Sequence, residues 1–185
     1  MIFEEKTVSS EEKFRGKIIT VEVDQVAMPD GSLAERELVH HPGGVGIVAL
    51  TEDEQVVLVK QYRKAIDSVI YEIPAGKLDP KEDHRTCGIR ELREETGLTA
   101  QNFIYLGFIY PSPGFIDERT YLYLATDLKQ GETQPDPDEY LDVVRLPLEQ
   151  VIEMIMNNDI NDAKTVAGIL KTVKMLGGKE EYHGE

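Results

Sequence analysis

The chain has 185 residues, 41% of them hydrophobic and 30% charged, enough for one compact domain with a small accessory segment. Its formal charge of -15 argues against the basic footprint that nonspecific nucleic-acid binding requires, and no run approaches the roughly eighteen apolar residues of a membrane helix. The start, Met1-Ile2-Phe3-Glu4-Glu5-Lys6, lacks the layout of a signal peptide, and Cys87 stands alone, so a cytoplasmic protein without internal disulfides is expected. Cys87 reads as a small packed residue on a helix. Any phosphate-bearing ligand would need local positive charge, and bound metal cations are the obvious source.

In chain order, Ile18 to Val26 carries apolar residues two apart, and Pro29-Asp30-Gly31-Ser32 is a turn before Ala34 to His41, which together predict a hairpin. A second hairpin is predicted from Gly46 to Leu50, the turn Thr51-Glu52-Asp53-Glu54, and Val56 to Arg63. Its dense apolar arms imply a central position, buried on both faces. Val69 to Ile73 is a short strand candidate, broken by Pro74-Ala75-Gly76. Asp79-Pro80 then turns the chain into a helix over about 83–96, stopped by Gly97. Strands are predicted over 103–110, 120–126 and 140–146, and helices from Pro147 through Met156 and over 163–175. This order predicts an α/β class with a mixed sheet layered against helices. The subdivision expected is a β-rich N-terminal segment, 1–42, and a catalytic domain, 43–185.

On the central helix, a rotation of about 100° per residue stacks Glu91 over Glu95 with Glu94 flanking, and sends Ile89 and Leu92 to a neighbouring apolar face. The carboxylates are thus expected at the edge of the contact with the sheet. Like charges at i and i+4 cost an isolated helix roughly 0.2–0.5 kcal/mol. A dication would turn that repulsion into binding, and an open cluster of oxygen ligands suits Mg²⁺ or Mn²⁺. A solvated Glu-rich face with Arg90 paired to Glu94 is the bland alternative.

The whole segment from Gly76 to Leu98 resembles the Nudix box, G-x5-E-x7-R-E-U-x-E-E-x-G-U with U aliphatic. Gly76, Glu82, Arg90, Glu91, Leu92, Glu94, Glu95, Gly97 and Leu98 fill every defined position. With seven fixed identities at roughly one in fifteen each, coincidence in one window is on the order of 10⁻⁸. The resemblance implies a Nudix-like α/β/α sandwich with an N-terminal β-hairpin extension. It also implies metal ligation by Glu91 and Glu95 with Glu94 assisting and the Ala75 carbonyl joining, and support from Glu82 and Arg90.

Outside the box, His41-Pro42-Gly43-Gly44-Val45, Gln61-Tyr62-Arg63, Glu72-Ile73-Pro74-Ala75-Gly76, Ser112-Pro113-Gly114 and Ala163-Lys164-Thr165 are similar to the ADP-ribose pyrophosphatase branch, with Pro113 fifteen residues past Leu98. That likeness implies metal-dependent hydrolysis of ADP-ribose to AMP and ribose 5-phosphate, with Arg63, Glu72, Pro113 and Gly114 as substrate-binding residues. It also implies a general base from the acidic stretch 132–139, with Glu139 chosen over Asp138 and Glu132, and a homodimer built through the N-terminal segment. Cleavage of GDP-mannose or another ADP-sugar is the rival within the family. A non-catalytic ADP-ribose sensor is the rival from another class, disfavoured by the intact glutamates. The histidines show no paired spacing for zinc.

Overall fold

A computed structural model describes residues 3–132 and 140–177. The chain divides into two compact units, Met1–Gly43 with Tyr110–Arg119, and Gly44–Ile109 with Thr120–Glu185.

In the first unit, β1(Lys6–Arg15), β2(Thr20–Ala27) and β3(Leu33–His40) form an antiparallel sheet in that order. The predicted turn joins β2 to β3: the Asp30 carboxylate accepts the Ser32 N–H at 2.9 Å, and Gly31 takes φ 87°, which a Cβ would strain. The expected hairpin is therefore two strands of a three-stranded sheet. Strand β1 escaped the reading because all of its residues are exposed, leaving no burial period to detect. The 110–119 segment lies alongside β3, with Val39 donating its N–H to the Phe115 carbonyl at 2.8 Å and Asp117 donating to that of Val39 at 3.1 Å. His40 Nδ1 contacts the Asp117 carboxylate at 2.7 Å, and Nε2 contacts that of Glu22 at 3.2 Å.

The second unit is a mixed sheet between helices. Among the described residues, β4(Gly44–Leu50), β5(Gln55–Arg63), β8(Leu98–Ile109), β9(Thr120–Gln130) and β10(Leu141–Pro147) run in the order β10-β5-β4-β9-β8, with β4 and β9 parallel. Helix α1(His84–Thr96) covers one face, and α2(Leu148–Met156) and α3(Ala163–Leu176) pack on the other. Every residue of β4 is buried, as its unbroken apolar run predicts. Val45, Ile47, Cys87, Leu92 and Tyr123 fill the α1 side, while Val48, Leu58, Ile73, Leu122 and Ile169 fill the other. Each such aliphatic side chain contributes about 1.5–3 kcal/mol on burial. Among the described residues, no helix is long and apolar enough to cross a membrane.

One irregularity of this sheet positions the site. Strands β4 and β5 pair only at Ala49–Val57 and Leu50–Val56, and then diverge. The gap is filled by β6(Ser68–Glu72), which continues along β5, and β7(Ala75–Lys77), which continues along β4. Pro74-Ala75-Gly76, read as a break, thus contains a kink followed by a short paired strand. Proline suits the kink because it has no N–H to satisfy, and its carbonyl accepts the Ile47 N–H at 2.8 Å.

Candidate active site

Helix α1 begins where its sequence says it should. The Asp83 carboxylate accepts the N–H groups of Arg85 and Thr86 at 3.0 and 3.1 Å, and Gly97 closes the helix at φ 71°, donating its N–H to the Arg93 carbonyl at 2.8 Å. The helix buries Cys87, Gly88, Glu91, Leu92, Glu95 and Thr96, an i, i+1, i+4, i+5 stripe. Glu91 and Glu95 therefore lie on the buried stripe, 8% and 2% exposed, and not at its edge as expected. Ile89, expected inside beside Leu92, is 43% exposed. It sits about 110° of rotation from the centre of the stripe, because the helix turns its carboxylates toward the β6–β7 segment.

Burying carboxylates is costly unless donors or cations receive them. Ala75 donates its N–H to Glu95 Oε2 at 3.0 Å. Glu91 fills the space where Gly76 has no side chain: a Cβ there would lie 1.9 Å from the Glu91 carboxyl carbon. Arg90 spreads its fork over three acids, with Nη1 donating to Glu91 at 2.7 Å and Glu94 at 2.9 Å, and Nε and Nη2 both donating to Glu82 at 3.0 Å. The Arg90 guanidinium holds the Glu82 carboxyl down at about 2. Its own pKa is pushed further up, first by Glu82. Burial lifts the Cys87 thiol to about 12, which leaves it an inert packed group.

Beside this cluster, Glu72 is 1% exposed and accepts from Arg63 Nη2 at 2.7 Å. Lys164, on the first turn of α3, is its second cation. Burial pushes the Glu72 carboxyl up, but the two cations outweigh it and hold the carboxyl below its usual range. Arg63 is raised chiefly by its bond to Glu72, and the negative charge of Glu95 adds to the shift. Sequence reasoning gave Lys164 no role. The signal available was Asp162, an N-cap before the helical pattern, whose carboxylate also binds Lys164 at 3.0 Å.

Among the described residues, no group of three or more His, Cys, Asp or Glu side chains is gathered as a metal cage. The donor set nonetheless fits Mg²⁺ or Mn²⁺. Mg²⁺ keeps several waters and binds through one or two carboxylates plus substrate phosphates, without an all-protein cage. Glu91 and Glu95 supply two carboxylates with oxygen donors alone, and Gly76 keeps clear the volume that Glu91 occupies. Glu94 is turned to Arg90.

A family model of the NUDIX domain matches residues 40–168, and one of the nucleoside diphosphate sugar hydrolase N-terminal domain matches residues 5–39. The chain belongs to the Nudix family. Relatives include the methanol dehydrogenase activator of Bacillus methanolicus, 41% identical over 91% of this chain and 92% of that protein. The ADP-ribose pyrophosphatase of Bacillus subtilis (strain 168) is 39% identical over 90% of this chain and 91% of that protein. A crystal structure of an ADP compounds hydrolase shares the fold, with a TM-score of 0.85 at 23% identity, covering 97% of both chains.

The Nudix box residues of this chain thus lie together around α1: Gly76, Glu82, Arg90, Glu91, Glu94 and Glu95 are within one set of contacts, and Arg63 and Glu72 border it. Ala75 enters it through its N–H. Pro113 and Gly114 belong to the first unit, where Pro113 lines a cavity of about 160 Å³ with Leu38, His40 and Phe115. A Cβ on Gly114 would meet open space, so packing sets no requirement for glycine there. Glu139, the chosen general base, lies outside the described residues, as does Asp138.

Proposed function

We propose that this Nudix enzyme hydrolyses the diphosphate of ADP-ribose to AMP and ribose 5-phosphate, with Mg²⁺ as its cofactor and Mn²⁺ as a substitute. The observation that carries the reading is the pair of buried carboxylates, Glu91 and Glu95, set on one helix stripe and closed over by Gly76 and the Ala75 N–H. Relatives named as ADP-ribose pyrophosphatases, at 39% and 35% identity over about nine-tenths of the chain, support the choice of substrate. The substrate is a dianion and the protein carries a formal charge of -15, so a local cation is needed where they meet.

Glu91 and Glu95 would hold the metal, with Glu94 assisting and the Ala75 carbonyl as a backbone ligand. When bound, the dication offsets the diphosphate charge and makes water a stronger nucleophile. Arg90 bridges the acidic side chains and offsets their mutual repulsion, and Glu82 fixes Arg90. Arg63, oriented by Glu72, binds a phosphate or ribose oxygen, and Pro113-Gly114 contributes to holding the substrate. Glu139 accepts the proton of the attacking water, whose oxygen bonds to one phosphorus as the bridging oxygen leaves on the other phosphate. The enzyme is proposed to be a cytoplasmic homodimer. The exposed edge strand β1, with Val8 and Phe14 more than half exposed, offers the pairing surface.

Incubation with ADP-ribose and Mg²⁺ in ¹⁸O-labelled water, followed by mass analysis of the products, tests the reading. AMP and ribose 5-phosphate should appear in equal amounts, one of them labelled, and faster than products from GDP-mannose. Faster cleavage of GDP-mannose would reassign the substrate, and no cleavage of either would leave a binding module. Glu139→Gln should lower turnover far more than substrate affinity.

A further inference from the structure

Every residue of the kink 72–75 is tied to a neighbouring element. Glu72 holds Arg63 of β5 and Lys164 of α3; Ile73 donates its N–H to Thr165 Oγ1 at 2.9 Å; the Pro74 carbonyl accepts the Ile47 N–H of β4; Ala75 donates to Glu95 of α1. Two of these ties come from the first turn of α3. The parts of that turn are locked to one another: Asp162 Oδ2 accepts the Thr165 hydroxyl at 2.6 Å and the Thr165 N–H at 3.0 Å, and also binds Lys164. Glu72, Lys164 and Thr165 are buried or nearly so, with side chains 1% and 15% exposed for the ion pair and Thr165 0% exposed.

This is more polar machinery than docking a helix requires. Apolar contacts already hold α3, through Ile169 and its neighbours in the core. Placing a lysine here demands a buried carboxylate to match it, a combination that gains little stability over well-packed apolar groups. What it does provide is a fixed position for the kink, and the kink ends on the N–H that receives Glu95.

We infer that Lys164 and Thr165 are positioning residues, through which the first turn of the C-terminal helix clamps the 72–75 kink and thereby sets the Glu95 carboxylate for metal binding. The inference rests on Glu95 being a ligand, as proposed above, but not on the identity of the substrate. Lys164 and Thr165 act on Glu95 through Glu72, Ile73 and the Ala75 N–H. Residues behind metal ligands typically change metal affinity by about 10–100-fold when replaced, and the clamp belongs in that class.

The test uses the full chain without substrate. Mn²⁺ affinity is measured by the loss of the free-ion paramagnetic resonance signal, and amide hydrogen exchange is followed at Ala75 in metal-free protein. Lys164→Met and Thr165→Val should each weaken Mn²⁺ binding about tenfold or more and speed exchange at Ala75, while Lys164→Arg, which keeps the charge, restores most of both. Val151→Ala, in the buried face of α2, should lower the melting temperature yet leave both readouts unchanged. In a Glu95→Gln background Lys164→Met should cause no further loss of affinity, since coupled residues are non-additive.

Parent-like affinity and exchange in Lys164→Met would overturn the inference, as would equal losses in Val151→Ala or a full loss in the Glu95→Gln background. Thr165→Val carries the test should Lys164→Met fail to fold. Clamp-dependent metal binding in a protein that leaves ADP-ribose intact would refute the substrate alone.

Discussion

Replacing Gly76 by alanine adds one methyl group where β7 meets the Glu91 side chain of α1. The new Cβ would lie 1.9 Å from the Glu91 carboxyl carbon and 2.0 and 2.4 Å from its oxygens. Carbon atoms rest about 3.5 Å or more apart, so the carboxylate must retreat by roughly 1.5 Å. The atoms met are the end of a flexible side chain, so Glu91 swings away and the backbone need not part. Its 2.7 Å bond to Arg90 breaks or rearranges with it. Misplacing a catalytic group by about 1 Å costs on the order of 10²-fold in rate, or about 2.7 kcal/mol of barrier. The fold should lose only the cost of a distorted side-chain rotamer, about 0.5–1.5 kcal/mol, which for a protein this size lowers the melting temperature by roughly 1–6 °C. Steady-state hydrolysis at saturating Mg²⁺, alongside thermal melting, reads both quantities. A Gly76→Ala protein with turnover within about threefold of the parent, less than 0.7 kcal/mol of barrier, would refute the reasoning.

Two further outcomes follow from the ion pairs. Arg90→Lys replaces a fork serving Glu82, Glu91 and Glu94 with a point charge, and should cost roughly 1–2 kcal/mol after allowance for an Arg90 side chain 31% exposed. Because Glu82 is held down at about 2, its contribution is present above its ordinary value and lost as pH falls through about 2. Acid titration should therefore show Arg90→Lys unfolding at higher pH than the parent; coincident curves would contradict this. His40 is shifted the other way, raised first by Asp117 and then by Glu22. Its stabilisation is complete below the unfolded value of about 6.5 and fades as pH climbs through the raised one. Melting temperatures between pH 6 and 9 should fall more in the parent than in His40→Gln, and less so at high salt because the ring is 43% exposed. Parallel slopes would count against it.

The box was legible because its chemistry is local. Asp83 and Gly97 mark the ends of α1 by their own backbone preferences, and the spacing of Glu91 and Glu95 fixes them on one side of it. The apolar runs of β4 and β5 revealed a buried sheet, and its mixed character was read correctly. What escaped depends on partners distant in sequence. The rotation of α1, which buries Glu91 and exposes Ile89, is set by the β6–β7 kink lying over it, and that kink exists because β4 and β5 diverge. Lys164 stands 92 positions from Glu72, and nothing local couples them. Strand β1 is exposed throughout and its few apolar residues, Val8 and Phe14, show no alternation, so its pairing with β2, sixteen or more residues away in places, leaves no local trace.

The most direct test measures ADP-ribose hydrolysis against Mg²⁺ concentration for the parent and for a Glu91→Gln, Glu95→Gln double variant. The parent should be inactive in chelator and recover with added Mg²⁺, while the double variant stays near the uncatalysed rate at every concentration. A double variant that matches the parent, or a parent indifferent to chelation, would mean that these carboxylates do not recruit the cation on which hydrolysis depends.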